Sequence, residues 1–199
     1  MRRTVKLMED WQFTYQSQKK RMVDLPHTWN AIDGQDGNDD YFRGTCFYEK
    51  TVKRPAYGDD ERVYLQFHGV NASAKVILNG VTVLKHDNGY ATFRADVTDV
   101  LKDENELCVE VDNSKNQKVY PQVADFTFYG GIYRDVEFLI VQKTHFDLDY
   151  YGGPGIEVAT DVKGKTGIVT VHAYTNKSAE ELEKEGLSVC MTLSDAEGE

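Results

Sequence analysis

Proline, cysteine and long apolar runs are scarce in this sequence. Only four prolines and three cysteines occur among its 199 residues. Cys46, Cys108 and Cys190 are odd in number and show no metal-ligand spacing, so we expect buried, reduced thiols rather than a disulfide scaffold or a nucleophile. No segment approaches the length of a membrane span, and the first eleven residues lack the apolar run of a signal peptide. The sequence therefore favours a cytoplasmic protein without a membrane partner, with secretion as the open alternative.

Positive charge is also in short supply. The chain has 23 basic and 33 acidic side chains, a formal net charge of -10, and the acidic residues are spread along its whole length. Nucleic acids and anionic membranes are themselves negatively charged, which makes them poor partners. Neutral ligands are compatible with this balance.

Aromatic residues and short alternating segments are plentiful. The chain has twelve tyrosines, nine phenylalanines and two tryptophans. Val63, Leu65 and Phe67 alternate with polar residues, as in a half-buried strand. The pair Asn79-Gly80 between two apolar runs predicts a hairpin with a type I′ turn. Short strands of this kind, without amphipathic helices between them, predict an all-β sandwich or barrel.

A stretch rich in glycine and proline at residues 150–155 separates two regions, and we predict domains at 1–143 and 144–199. The charged segment Ala179–Gly186 is expected to be an exposed connection. Strands are predicted in the second region at Ile156–Val162, Ile168–Tyr174 and Leu187–Leu193. Three strands are too few to close a sandwich of about 100 residues, so the second domain looks incomplete.

The stretch from Asp125 to Val136 is the main candidate site. It places a carboxylate ahead of three aromatic rings and the pair Gly130-Gly131, just before a predicted strand at Ile132–Val141. Loops before strands often carry functional groups. A carboxylate accepts hydrogen bonds from sugar hydroxyls, while aromatic faces cover the apolar C–H face of the ring. The alternative is a solvated loop aspartate beside core aromatics.

A second stretch of note is Leu25–Asn30. Its Leu-Pro pair requires an extended chain, and Trp29 is expected to anchor it to the core. His27 is predicted to be a hydrogen-bonded packing residue rather than a general base, because the sequence shows no partner for it.

Several stretches, in order, resemble the amino-terminal region of family 2 glycoside hydrolases, the family of β-galactosidases, β-glucuronidases and β-mannosidases. The resemblance covers about 120 residues and is strong because five or more motifs keep their order. It implies a jelly-roll, galactose-binding-domain-like β-sandwich followed by an incomplete immunoglobulin-like β-sandwich. The motifs are Leu-Pro-His-Thr-Trp-Asn at 25–30, Tyr-Phe-Arg-Gly-Thr-Cys-Phe-Tyr-Glu-Lys at 41–50, Phe-His-Gly-Val-Asn-Ala-Ser-Ala-Lys-Val-Ile-Leu-Asn-Gly at 67–80, His-Asp-Asn-Gly-Tyr-Ala-Thr-Phe-Arg-Ala-Asp-Val-Thr-Asp at 86–99, Val-Asp-Asn at 111–113 and Gly-Gly-Ile-Tyr-Arg-Asp-Val at 130–136.

The resemblance also implies site residues. An aspartate matching Asp125 contacts hydroxyls of the terminal sugar in similar enzymes, and in some β-galactosidases it helps to hold a sodium ion. Arg43 lies near a second position that approaches the sugar, although a structural ion pair is an equal alternative. Tyr129 either lines the same pocket or packs. No cofactor is expected in this chain, and a sodium or magnesium ion belongs to the intact enzyme.

Catalytic residues are not expected in this chain. Retaining glycosidases need two carboxyl groups about 5 Å apart. In this family both are glutamates on a (β/α)₈ barrel, and the sequence shows no alternating strand and helix pattern.

The sequence therefore predicts an amino-terminal fragment of a retaining glycoside hydrolase that cleaves terminal β-linked sugars in carbohydrate metabolism. A β-galactosidase is the first choice, and β-glucuronides and β-mannosides are alternative substrates. Its partners are the sugar and the remainder of the parent polypeptide, whose homo-oligomeric state stays open. The rival hypotheses are a free-standing carbohydrate-binding module and a purely structural interaction domain.

Overall fold

The computed structural model describes residues 2–15, 19–33, 41–119, 123 and 126–198. This part of the chain contains fourteen β-strands and one short α-helix. The predicted all-β fold class is therefore confirmed. The chain divides into two compact units, Met1–Lys143 and Thr144–Glu199.

The first unit contains two antiparallel sheets and a short third one. The six-stranded sheet has the spatial order β3 (Arg21–Val23), β2 (Trp11–Tyr15), β4 (Thr45–Lys53), β10 (Glu104–Asp112), β7 (Ser73–Leu78) and β8 (Val81–Asp87). The four-stranded sheet has the order β1 (Arg3–Lys6), β12 (Val136–Gln142), β5 (Glu61–Phe67) and β9 (Phe93–Asp96). The third sheet pairs β6 (Val70–Asn71) with β11 (Gly131–Ile132).

The hydrophobic core forms because alternate residues of the strands in both large sheets point inward. The fully buried core side chains include Trp11, Phe13, Tyr48, Val63, Leu65, Phe67, Leu78, Val109, Ile132 and Ile140. Burying a large apolar side chain contributes about 1.5–3 kcal/mol. This core fixes the positions at which the loops leave the sheets.

The hairpin that joins β7 to β8 has the predicted turn. Leu78 pairs with Val81, and the two residues between them have positive φ angles, 53° at Asn79 and 80° at Gly80. Positive φ at both central positions defines the type I′ turn, whose twist matches that of the flanking strands.

The predicted strand Ile132–Val141 is divided in the structure. Gly131 and Ile132 pair with Asn71 and Val70, whereas the later residues form β12 between β1 and β5. The chain therefore changes partner over residues 133–135. The loop that ends at Gly131 is tied to a different sheet edge from the strand that follows.

A row of polar side chains crosses the outer face of the four-stranded sheet, one from each strand. Lys6 Nζ lies 2.9 Å from Glu137 Oε2, Gln66 Nε2 donates to Glu137 Oε1 over 2.8 Å, and Arg94 Nε donates to Gln66 Oε1 over 2.8 Å. His68 Nε2 lies 2.9 Å from Glu137 Oε1. Burial alone would raise the pKa of Glu137, but the hydrogen bonds from Lys6 and His68 outweigh it and hold that pKa below its usual range.

The second unit contains the antiparallel hairpin of β13 (Ile156–Lys163) and β14 (Thr166–Ala173), followed by α1 (Ala179–Lys184). The expected connection at 179–186 thus includes a helix. Ser178 caps it, because its side chain accepts from the Glu181 amide while the Glu181 carboxylate accepts from the Ser178 amide. Such a capping box satisfies amide groups that would otherwise lack partners.

The predicted strand Leu187–Leu193 is wrong for the described chain, which has no strand there. Its four apolar side chains are 39–78% exposed, because no neighbouring strand among the described residues pairs with them. The expectation of buried thiols is also wrong in part. Cys46 is buried and Cys108 is half-buried, but Cys190 is exposed.

No helix among the described residues has the length and apolar character that crossing a bilayer requires.

Candidate functional site

The candidate site is the segment of residues 126–131, which we call the aromatic loop. It runs from the position after Asp125 to the start of β11. Asp125 itself lies outside the residues that the structure describes, so its predicted role stays a prediction. The described neighbours define how the loop is held.

Asn113, the residue directly after β10, is one anchor of the aromatic loop. Its side chain is fully buried, and its Nδ2 donates to Phe128 O over 3.0 Å and to Phe42 O over 3.3 Å. Its Oδ1 accepts from Gly44 N over 2.9 Å. A buried amide with such partners is costly to remove, because each partner would then be buried without a hydrogen bond.

Asn30 is the second anchor and is also fully buried. Its Oδ1 accepts from Gly130 N over 2.7 Å and from Asn113 Nδ2 over 3.1 Å. Its Nδ2 donates to Asp33 Oδ2 over 2.9 Å and to Phe42 O over 3.0 Å. The two asparagines therefore join the loop to two other parts of the first unit.

Three further side chains bind the main chain of the same loop. Tyr41 OH accepts from Phe128 N over 3.0 Å, Asn71 Nδ2 donates to Tyr129 O over 2.6 Å, and Thr28 Oγ1 donates to Gly130 O over 2.7 Å. With the two asparagines, side chains bind five main-chain polar groups within three consecutive residues. The loop is therefore fixed mainly by side chains from several segments, in addition to the pairing of Gly131 with Asn71.

The two glycines of the loop permit a close approach of neighbouring groups. A Cβ atom on Gly130 would lie 2.0 Å from Cζ2 of Trp29. Gly131 has φ 142°, and a Cβ there would lie 2.3 Å from His27 O. Only glycine fits both positions without displacement of the chain.

His27 lies behind the loop and bonds to Tyr48. Its Nδ1 is 2.7 Å from Tyr48 OH. Burial, aided by the charge of Arg21, lowers the pKa of His27 to about 4, and burial raises the pKa of Tyr48. At neutral pH the His27 imidazole is therefore uncharged and shares a hydrogen bond with the Tyr48 hydroxyl. The predicted packing role of His27 is confirmed.

Arg43, a predicted sugar contact, makes structural interactions. Its Nε donates to Asn113 O over 2.9 Å. Its guanidinium carbon lies 5.4 Å from the ring centre of Phe128 and 5.9 Å from that of Tyr41. The hydrogen bond and the cation–π contact with Phe128 stabilise the aromatic loop. A direct contact of Arg43 with sugar stays a prediction.

Tyr129 lines an open cleft of about 360 Å³. Five of the lining residues are aromatic: Tyr90, Phe126, Phe128, Tyr129 and Tyr133. None of the described residues that line it is charged. The exposed fractions are 55% for Tyr90, 60% for Phe126 and 40% for Tyr129. The structure thus places Tyr129 at a cleft beside the loop, and its contact with sugar stays a prediction.

Among the described residues, no group of three or more His, Cys, Asp or Glu side chains forms a metal site. The predicted sodium ligand Asp125 lies outside this part of the chain. A sodium or magnesium ion in the intact enzyme is therefore still only a prediction.

The anchoring roles of Asn30 and Asn113 were missed by sequence reasoning. Both residues belong to motifs that carry the family resemblance, Leu-Pro-His-Thr-Trp-Asn and Val-Asp-Asn. Their burial and mutual contact could not be read from the sequence, because they lie 83 positions apart. The available signal was the asparagine at the end of each of these two motifs.

The sequence is similar to those of known β-glucuronidases and β-galactosidases. The chain is 38% identical over 166 residues to a β-glucuronidase of Bacteroides fragilis, covering 81% of this chain and 24% of that protein. It is 30% identical over 150 residues to a β-galactosidase of Thermoanaerobacter pseudethanolicus, covering 73% of this chain and 20% of that protein. The chain thus spans about a quarter or less of these relatives.

The fold resembles that of solved glycosidases. The crystal structure of an FMN-binding β-glucuronidase from Facaelibacterium prausnitzii L2-6 superposes with a TM-score of 0.83 at 41% identity, covering 88% of this chain and 28% of that one. A family model described as glycosyl hydrolase 2 galactose-binding domain-like matches residues 34–154, which confirms the resemblance seen in the motifs. Because this model matches more than half of the sequence, the chain belongs to the glycosyl hydrolase 2 galactose-binding domain-like family.

Proposed function

We propose that this chain is the sugar-binding amino-terminal part of a retaining β-glycosidase. In this role it forms one wall of the substrate pocket and braces a catalytic barrel that the rest of the polypeptide supplies. The observation that carries the proposal is the anchoring of the aromatic loop: five main-chain groups of Phe128, Tyr129 and Gly130 are bound by side chains from other segments. A binding loop held in this way needs little ordering when a ligand arrives.

Asp125 has a binding role in this proposal. Its carboxylate accepts hydrogen bonds from hydroxyls of the terminal sugar, and charge makes such bonds stronger than neutral ones. The catalytic pair of carboxyl groups, about 5–5.5 Å apart in retaining enzymes, comes from outside the chain. The isolated chain should therefore be inactive.

The substrate is a β-glucuronide or a β-galactoside. The relatives at 38% and 41% identity carry the name β-glucuronidase, which favours the glucuronide. The acidic balance of the chain and the relative at 30% identity favour the neutral galactoside, the first choice from the sequence. A glucuronide carboxylate normally requires a positioned cation.

A free-standing carbohydrate-binding module is the second candidate function, since the described part of the first unit has two large sheets around one core and a cleft. That candidate predicts measurable sugar affinity in the isolated chain. One wall of a shared pocket predicts almost none, because it makes only a few of the contacts that binding requires.

The test compares the polypeptide encoded by the whole reading frame with the isolated 199-residue chain. Both are assayed with 4-nitrophenyl β-glucuronide and 4-nitrophenyl β-galactoside. The proposal expects turnover of at least one substrate by the whole polypeptide and none by the isolated chain. Turnover by the isolated chain, or a whole polypeptide without glycosidase activity, would contradict it.

A further inference from the structure

The cleft beside the aromatic loop has two walls from separate parts of the chain. One wall is Tyr90, which precedes β9, and the other contains Phe126 and Tyr129 of the aromatic loop. Each wall is held by a residue in or next to the β6–β11 pair: Tyr133 OH donates to Gly89 O, beside Tyr90, over 2.5 Å, and Asn71 Nδ2 donates to Tyr129 O over 2.6 Å. The spacing of the two walls is therefore set before a ligand binds.

The exposed faces of these rings suit an uncharged, flat ligand. Tyr90 and Phe126 expose more than half of their surface, and none of the described lining residues is charged. Aromatic faces bind other flat apolar groups by stacking or edge contacts. The volume of about 360 Å³ lies in the range of small-molecule sites, about 300–1,000 Å³.

The cleft begins one residue after the predicted sugar contact, Asp125. Phe126 follows Asp125 directly in the chain, and consecutive Cα atoms lie only about 3.8 Å apart. If Asp125 holds the terminal sugar, the group that occupies the neighbouring cleft is the one attached to that sugar. We propose that the cleft formed by Tyr90, Phe126 and Tyr129 binds the aglycone of the substrate, and that this aglycone is an uncharged aromatic group. This inference rests on the proposed function.

The test uses the whole polypeptide and two glycosides of the sugar that it hydrolyses, one with a 4-nitrophenyl and one with a methyl aglycone. Release of free sugar is followed for both substrates. Tyr90→Ala and Phe126→Ala each remove one exposed ring from the cleft. Tyr151→Ala is the matched control, since Tyr151 is an exposed tyrosine that does not line the cleft.

Each cleft variant is expected to raise KM for the aryl glycoside about 3- to 10-fold, the scale of one lost aromatic contact. Its kcat, and both constants for the methyl glycoside, should stay within about twofold, because a loss of uniform binding changes KM alone. Tyr151→Ala should match the wild type with both substrates. Midpoints of urea unfolding equal to that of the wild type would show that the cleft variants are folded.

Equal changes for the two glycosides, or no change for either, would overturn the aglycone assignment. So would a loss seen only with a disaccharide substrate, which would make the cleft a second sugar site. Asp125→Asn separates this failure from that of the proposed function, because it should lower kcat/KM for both glycosides. A silent Asp125→Asn overturns the proposed function, whereas an effective one beside silent cleft variants overturns only the aglycone assignment.

Discussion

Asn113 Nδ2 donates a hydrogen bond of 3.1 Å to Oδ1 of Asn30, across 83 positions of sequence. Both side chains are fully buried, and each also binds the main chain of the aromatic loop. The pair therefore connects three distant segments at the point where the candidate site is built.

Asn113→Ala should lower the free energy of unfolding by about 2–3 kcal/mol, because Phe128 O and Gly44 N lose their buried partner. Urea unfolding followed by tryptophan fluorescence measures the change, since both tryptophans, Trp11 and Trp29, lie in the first unit. Asn88→Ala, at an exposed asparagine, is the control and should stay within about 0.5 kcal/mol of the wild type. Equal losses in the two variants would rule out a special role for Asn113.

Gly130→Ala should cost about 1–3 kcal/mol, because the added methyl group would lie 2.0 Å from the Trp29 ring. The same fluorescence measurement reports it, and Trp29 emission should shift as its ring moves. Gly167→Ala is the matched control, since nothing lies within 4 Å of a Cβ there. Gly167→Ala should leave the unfolding transition that tryptophan fluorescence reports unchanged. A Gly130→Ala protein as stable as the control would show that the loop adapts freely.

The pH dependence of stability should carry a contribution from His27. Its pKa is about 4 in the folded chain, mainly because of burial, and about 6.5 when unfolded. Between these values the unfolded state binds more protons, so stability falls as pH drops from about 6.5 to about 4. His27→Gln should reduce that fall by on the order of 1–2 kcal/mol, after allowance for solvent access. His172→Gln, at an exposed histidine, should show the wild-type dependence of the free energy of unfolding on pH. The same wild-type dependence in His27→Gln would contradict the prediction.

Glu137 should contribute to the pH dependence of stability in a lower pH range than His27 does. Because the pKa of this carboxyl is depressed in the folded state, its contribution is complete above the unfolded value of about 4.3 and is lost as pH falls through the folded value. Glu137→Gln should therefore destabilise the protein by about 1–3 kcal/mol at pH 7, and the gap from the wild type should narrow toward pH 3. Urea unfolding at a series of pH values measures the gap, with the exposed Glu104→Gln as control. A gap that is constant with pH would exclude an ionic role.

The sequence predicted the features that depend on local patterns. The alternation of Val63, Leu65 and Phe67 and the turn at Asn79-Gly80 are properties of a few neighbouring residues, and both appear in the structure. Features that depend on distant partners were missed. The contact of Asn30 with Asn113 and the change of sheet after Ile132 are set by tertiary packing.

The error at Leu187–Leu193 has the same origin. Alternating apolar residues satisfy the local requirement for a strand, but a strand also needs a neighbour to accept its main-chain hydrogen bonds. Among the described residues of the second unit, only β13 and β14 form a sheet. The residues do alternate as predicted, but alternation alone does not form a strand without a neighbouring strand to pair with.

The role of this chain in the substrate pocket is tested by kcat/KM of the whole polypeptide carrying Asp125→Asn. Loss of a charged hydrogen-bond acceptor for the sugar should lower kcat/KM about 10- to 150-fold, the equivalent of about 1.5–3 kcal/mol. Asp59→Asn, at an exposed turn, is the control and should have no effect. A large loss confined to Asp125→Asn, with unchanged stability, is the predicted result. Wild-type kinetics in Asp125→Asn would contradict the claim that this chain forms a wall of the substrate pocket.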